Sequence, residues 1–382
     1  MNIKKIKNKR PDLLIVGAGP VGCVIAERAA KIKKWTSLVI DKRNHIAGNC
    51  YDEENKWGIR VHKYGPHYMR FKKRKIFNYV SKFTKWIKGN YIVKTNIKGK
   101  LYPIPINLTT IEKFFKKKFK NPNEAKKFIN DLKIKKKKIQ NSEDFILANL
   151  GKEIYENFYK NYTIKQWGIH PKNLNKSVVG RLPIRYNRDP YYVNQKLKVM
   201  PKKGYTNLFK NMLSDQKIEI CLNTSYELLK KKIRPKVATI YTGPPDVFFN
   251  FKYGKLDWRS LEFKFNTLKR NKIQECVQIN FPNDYKYTRK VEIKHVTKQK
   301  SKYSTVSYEF PKSSGDPYYP INNKKNIKLF AKYKSLIKKL EKKNIYFEGR
   351  LAKYKYFNTD EVIESALDLF NKLKRKYIKN LK

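Results

Sequence analysis

The sequence predicts an α/β fold that opens on a Rossmann-like dinucleotide-binding unit. Three observations carry that prediction. A short apolar run, DLLIV (12–16), leads straight into GAGPVG, where Gly17, Gly19 and Gly22 have the G-x-G-x-x-G spacing. The stretch CVIAERAAKIKK that follows has helical character, and a second apolar run, SLVI (37–40), ends at the acid Asp41. Beyond this opening, helix-patterned and strand-patterned stretches alternate, with no internal repeat.

Each part of the opening has a physical task. Gly17 permits the tight turn, Gly19 lets backbone approach a pyrophosphate, and Gly22 lets the helix pack closely on the strand. Pro20 and Val21 lie between those glycines at the helix start, where free N–H groups and a partial positive charge suit phosphate. Asp41, 24 residues after Gly17, stands where a carboxylate accepts hydrogen bonds from an adenosine ribose. The alternative for Asp41 is a plain strand-end residue. Because the motif opens the chain, as in many flavoproteins, FAD is expected over NAD.

The later elements follow from local pattern. LYPIPINL (101–108), with two prolines, reads as an edge strand or extended turn. Residues 109–168 look mainly helical, from a Thr-Thr start through the helical rhythm of IEKFFKKKF. Strand-like runs dominate 181–199 and 261–310. RPKVATIYTGP (234–244) reads as a strand returning to the cofactor unit, with its Gly-Pro turn close to the cofactor. Long helices at 326–344 and 359–376 are expected to pack on that unit.

At 382 residues and 40% apolar composition the chain can bury a substantial core in two or three domains. Its 89 Lys plus Arg against 31 Asp plus Glu give a formal +58, which points to nucleic acid or an anionic membrane, or to compositional drift. The lysines are spread along the chain, with local runs at Lys135–Lys138 and in the KLKRKYIKNLK tail, and no nucleic-acid-binding motif accompanies them. A solvated basic enzyme surface is therefore favoured. Cys23, Cys50, Cys221 and Cys276 form no C-x-x-C pair, which suits a reducing cytosol rather than a disulfide scaffold or zinc ribbon. The basic-then-apolar start imitates a signal peptide, but Asp12 and the glycines interrupt it. With no run of about 18 apolar residues, membrane contact is expected to be peripheral at most.

DKRNHIAGN (41–49), followed by VHKYGPH (61–67), resembles the flavin-binding opening of the UDP-galactopyranose mutase family. Further blocks match in family order: YKNYTIKQWG (159–168), RLPIR (181–185), MPKKGYTNLF (200–209), IYTGPPDVFF (240–249), YTRKVEIKH (287–295), DPYYPI (316–321) and EGRLAKYKYFNTDEVI (348–363). The resemblance implies three interleaved regions. These are a Rossmann-like FAD-binding domain (1–85 with 203–255 and 326–382), a helical domain (109–180) whose loop at about 168–182 moves, and an antiparallel sheet domain (86–108 with 181–202 and 256–325). The implied activity interconverts the pyranose and furanose forms of a UDP-hexose, either UDP-galactose or a modified relative such as UDP-N-acetylgalactosamine. It runs through a flavin N(5)–sugar adduct, with NAD(P)H or another external reductant, in the cytoplasm, for capsule or lipopolysaccharide synthesis. A homodimer is left open.

The same resemblance assigns residues. Arg181 and Arg289 match the clamp on the diphosphate, whose oxygens suit guanidinium forks. Phe158, Tyr162 and Trp167 match the aromatics around the uridine, with Thr163 beside them, and their spacing suggests one helix ending at Gly168. Without the resemblance that stripe reads as core, Arg181 as a surface residue, and Thr163 as a hydroxyl bonding its own backbone. Tyr192, Tyr319 and Tyr356 match tyrosines at the diphosphate or the sugar, although one tyrosine among 27 proves little by itself. His67 matches the histidine beside the isoalloxazine ring, with Gly65 and Pro66 setting the bend and His62 structural. Lys42, Asn49, Gly349 and Arg350, with Tyr356, complete the expected cofactor contacts. His45, His62 and His67 lack acid or thiol companions, so no metal is expected.

Three positions depart from the family pattern. Ala47 replaces a glycine of its doublet. Arg70 replaces a second histidine, placing a planar cation that could hold a carbonyl or carboxylate on a modified sugar. Asn358 stands where the family usually has Asp, removing a charge and supplying two donors. Arg70 joins Arg181, Arg289 and His67 as the expected catalytic set. The rival readings are an FAD-dependent oxidoreductase of the same superfamily and a basic nucleic-acid-binding protein.

Overall fold

The computed structural model describes Ile6 and residues 10–379, so part of the basic start and of the tail lies outside the described residues. A parallel five-stranded sheet runs in the order Ile218–Cys221, Ser37–Ile40, Leu13–Val16, Ala238–Tyr241, Ile345–Phe347. Side chains alternate across it. Leu13 and Ile15 enter one core layer, and Leu14 joins Leu38, Ile40, Leu229 and Ile233 in another. Burial on both faces explains why these strands read as continuous apolar runs.

Two helices cover the first face. Pro20–Arg28 follows the glycine turn, and Thr359–Lys379 lies against it. The second helix turns Val362, Ile363, Ala366, Phe370 and Leu373 into the core, a stripe at helical spacing. The opposite face takes Lys324–Glu341, whose Ile337 packs with Tyr241 and Phe347. The expected strand–helix–strand opening, returning strand and closing helices are all present.

The second sheet has seven strands, in the order Tyr319–Pro320, Trp258–Leu268, Ser304–Lys312, Arg289–Val291, Gln278–Asn280, Val93–Ile97, Lys100–Ile104. Its pairings are antiparallel except that Gln278–Asn280 runs parallel to Val93–Ile97, so the expected antiparallel sheet is mixed. Lys100–Ile104 is an edge strand, where Pro103 costs no ladder bond.

One strand expectation is corrected. Residues 181–196 hold only a single bridge, between Tyr191 and Ile92. Polar side chains capture the backbone here. Asn187 and Asp189 accept the N–H groups of Asp189 and Tyr191, and Arg185 donates to the Tyr191 carbonyl. The strand proper is Leu197–Pro201, which pairs with Met69–Phe71 and Trp86–Lys88 in a separate sheet.

The helical region comprises Leu108–Phe115, Pro122–Leu132, Ser142–Ile154, a π-turn Tyr155–Lys160, and Asn161–Trp167. The side chains of Asn107, Asn121 and Asn141 cap the first three, each such cap contributing about 1 kcal/mol. Gly168, at φ 67°, ends the last in the left-handed conformation that glycine tolerates. No described helix is long and apolar enough to cross a membrane.

Candidate active site

The glycine turn lies at the carboxyl ends of the parallel strands, where ligands of open α/β sheets bind. A Cβ on Gly22 would lie 2.0 Å from the Gly17 carbonyl oxygen, so only glycine allows that helix–strand contact. Gly19 offers no side-chain cap to helix Pro20–Arg28, which leaves its first N–H groups for a ligand. Asp41 accepts the Ala18 N–H at 2.8 Å and the Arg43 N–H at 2.9 Å, bracing the turn beside the strand end. These features fit the phosphates and ribose of a dinucleotide.

Two close contacts link the turn to a cavity of about 480 Å³. A Cβ on Gly48 would be 3.0 Å from the Gly19 Cα, and one on Gly349 would be 3.0 Å from the Val21 side chain. The residues that follow, Asn49 and Arg350, both line the cavity. Ala47 adopts φ 72° with its methyl fully buried, a conformation costing about 1 kcal/mol for a residue with a Cβ. Lys42 is largely exposed and pairs with Asp316. Arg43 turns inward instead. It donates to Asn49 at 2.8 Å and to Asp316 at 3.0 Å, and lies 4.3 Å from the Tyr64 ring centre.

The VHKYGPH stretch forms a bend in which His62 Nδ1 accepts the His67 N–H at 3.0 Å. Gly65 takes φ 88° there, and its carbonyl lies 2.9 Å from His67 Nδ1, which therefore carries the proton. Burial, with help from Arg60, brings His62 down to about 3, and burial, with His62 and Arg350, does the same to His67. Both rings are neutral. His67 faces the cavity, whereas His62 is buried beneath the bend, as a structural residue should be. Among the described residues no group of His, Cys, Asp or Glu could hold a metal.

On the opposite wall, Arg289 Nε donates to the Tyr162 hydroxyl at 2.7 Å. Arg289 also pairs with Glu309 at 3.2 Å. Burial pushes the Glu309 carboxyl up against the pull of Arg289, and its Oε1 has no partner. Thr163 and Trp167 line the cavity beside them, with Trp167 5.8 Å from the Tyr319 ring. Phe158 touches the cavity but packs edge-on against Tyr102 and Phe114, which makes it mostly core.

Arg181 and Arg350 lie 5.4 and 4.9 Å from the ring centre of Tyr356, which stacks on Tyr319 at 5.9 Å. Burial resists ionisation of the Tyr356 phenol, but Arg181, Arg350, Arg289 and Arg70 outweigh it and bring the group down to about 8. Tyr192 lines the same wall. Arg70 donates to Asn358 Oδ1 at 2.5 Å, while Asn358 N and Nδ2 donate to Glu361 at 2.8 and 2.9 Å. Glu361 is paired in turn with Lys72 at 2.6 Å.

One cavity thus gathers Asn49, His67, Arg70, Phe158, Tyr162, Thr163, Trp167, Arg181, Tyr192, Arg289, Tyr319, Arg350, Tyr356 and Asn358. Gly17, Gly19, Pro20, Val21, Gly22, Asp41, Lys42 and Gly349 lie outside its lining, at the strand ends and glycine turn. Sequence reasoning missed Arg43 and Glu309. The only signal for Glu309 is its register opposite Arg289, set by a pairing 20 residues apart.

Residues 157–356 match the family model described as UDP-galactopyranose mutase, and residues 15–83 match an NAD(P)-binding Rossmann-like domain. The chain is 37% identical to a Klebsiella pneumoniae protein described as "Probable UDP-galactopyranose mutase", covering 93% of each chain. It is 35% identical to the dTDP-fucopyranose mutase of Escherichia coli, over 97% of this chain and 99% of that one. The UDP-galactopyranose mutase of Mycoplasma genitalium is 32% identical over 92% of each. The fold also superposes on a crystal structure of reduced UDP-galactopyranose mutase, with a TM-score of 0.73 and 14% identity over 97% of this chain and 94% of that one.

Proposed function

The chain belongs to the UDP-galactopyranose mutase family, and we infer that it is a flavin-dependent isomerase interconverting the pyranose and furanose forms of UDP-hexoses. The observation that carries this reading is the cavity in which Asn49 and Arg350, from the segments packed against the glycine turn, meet Arg181, Arg289 and the tyrosines. FAD, when bound and reduced, supplies the electron pair for substitution at the anomeric carbon, with no net redox change.

The residues supply binding, orientation and charge. The glycine turn, the uncapped helix and Asp41 would hold the FAD diphosphate and ribose, with Asn49, His67 and Arg350 toward the ring system. Neutral His67 offers Nε2 as an acceptor, because Nδ1–H is bound to Gly65. Arg289, steered by Glu309 and Tyr162, and Arg181, beside Tyr356, would grip the diphosphate and stabilise charge on UDP as the glycosidic bond breaks. Tyr162, Thr163, Trp167 and the edge of Phe158 would take the uridine. Segment 168–182 would close over the substrate, bringing Arg181 in and excluding water.

For the sugar, Arg70 is the residue to weigh. It makes no ion pair among the described residues, and it donates a hydrogen bond to the neutral Asn358. A guanidinium so placed favours a sugar carrying a carbonyl, such as an N-acetyl group, over plain galactose. The relative with a different base and sugar, the dTDP-fucopyranose mutase, supports including dTDP-sugars among candidates. A cytoplasmic site, an NAD(P)H-type reductant, a role in cell-surface polysaccharide and peripheral attraction of the +58 chain to anionic membranes complete the proposal.

The test compares oxidised and chemically reduced holoprotein on one UDP-hexose. Turnover confined to the reduced form supports the mutase. Flavin reduction by the sugar itself would point instead to the oxidoreductase reading.

A further inference from the structure

Lys165 lies on the outer side of helix Asn161–Trp167, against the loop that leads into strand Arg289–Val291. Its ammonium donates to three carbonyls of that loop: Phe281 at 2.7 Å, Tyr285 at 2.5 Å and Tyr287 at 3.4 Å. Among the described residues no carboxylate lies within ion-pair distance of the ammonium; Asp284 of the same loop acts on it only from farther away. The next helix residue, Gln166, accepts from the Thr288 hydroxyl at 3.1 Å, and Asn161 donates to Asn283 at 3.0 Å. From behind, Arg259 donates to the carbonyls of Gln166 and Lys165 at 3.0 and 3.2 Å, fixing the helix end just before Gly168.

The position of this clasp gives it meaning. The helix carries Tyr162, Thr163 and Trp167, and the loop delivers Arg289, whose Nε reaches the Tyr162 hydroxyl. Across its base the loop is closed by the bond from Phe281 N–H to the Thr288 carbonyl. Three carbonyl oxygens converging without a cation would repel one another, and the loop would open away from the helix.

We propose that Lys165 is a positioning residue for nucleotide recognition: by gathering the 281–287 carbonyls it sets Arg289 against Tyr162 and so shapes the nucleoside-diphosphate site. The proposal rests on reading this wall as the nucleotide site. An ammonium suits the task because it presents three donors on a flexible stem, which a neutral side chain of equal length does not.

The experiment measures UDP binding by calorimetry on oxidised holoprotein, together with FAD content and the flavin spectrum. Lys165→Met should raise the UDP dissociation constant about tenfold or more while FAD content and spectrum stay as in the wild type. At saturating UDP-sugar, kcat should stay within about threefold, and Lys165→Arg should recover most of the affinity. Thr288→Val, which cuts the neighbouring clasp bond, should weaken UDP binding by about threefold and decides the matter if Lys165→Met does not accumulate. Wild-type affinity in Lys165→Met, or in Thr288→Val when it alone can be measured, overturns the proposal. Wild-type holoprotein that fails to bind UDP would instead overturn the reading of the site.

Discussion

Arg70 and Asn358, 288 residues apart in sequence, share a hydrogen bond of 2.5 Å at the cavity wall. Both are positions where the sequence resemblance implies a departure from the family pattern, and the structure brings them into direct contact. Because Asn358 spends its N–H groups on Glu361, its carbonyl oxygen must face Arg70. The pair therefore acts as one unit, a cation held by a neutral partner.

Arg70→His should raise kcat/KM for UDP-galactose relative to UDP-N-acetylgalactosamine by about tenfold, one charge-assisted hydrogen bond. Asn358→Asp alone should trap Arg70 in an ion pair and lower turnover of both sugars. Their effects should not add. A double-mutant cycle should return a coupling of about 0.5–3 kcal/mol, and an additive result would mean the contact does not bear on the sugar.

Arg181→Ala and Arg289→Ala should each lower kcat/KM by about 10²–10³-fold, the scale of losing a donor aimed at developing charge. Both proteins should stay yellow, since neither residue lies at the glycine turn. Colour loss in either variant would move that arginine to the cofactor site.

Substrate binding should weaken as pH rises through about 8. Tyr356 then becomes a phenolate held by Arg181 and Arg350, and competes with the diphosphate for the same cations. Above that pH the dissociation constant for UDP should climb by up to about tenfold per unit. Tyr356→Phe should flatten the climb. Lys165, brought down to about 8 by burial against the pull of Asp284, leaves a residual slope of the same sign.

Acid should destabilise the fold before carboxylates titrate. His62 and His67 are neutral in the native state down to about 3, but bind protons near 6.5 once unfolded. The unfolded chain thus holds more protons between those values, so stability falls with falling pH by about 1.4 kcal/mol per unit for each histidine. Denaturant melts at pH 7, 6 and 5 check this, and His62→Gln should remove about half of the slope.

The opening was legible because its signals are local. Residues 12–41 carry their turn, helix start and terminal acid within one stretch, and each appears where the pattern put it. The family blocks carried the tyrosines and arginines to one cavity in the same way. Glu309 was not legible, because only strand register sets it against Arg289. Nor was the irregular course of 181–196, where Asn187, Asp189 and Arg185 compete for backbone groups that the strand pattern had claimed. The Arg70–Asn358 bond lay hidden for the simplest reason: nothing in either segment names the other.

The central claim is tested most directly by product analysis on dithionite-reduced, FAD-loaded protein. UDP-galactose, UDP-N-acetylgalactosamine, related UDP-hexoses and a dTDP-linked 6-deoxyhexose should each be incubated anaerobically and resolved by chromatography. The account predicts that at least one UDP-hexose yields its furanose isomer, with UDP-N-acetylgalactosamine preferred, and that oxidised protein yields none. If every sugar stays in the pyranose form while FAD is bound and reduced, the mutase assignment is contradicted.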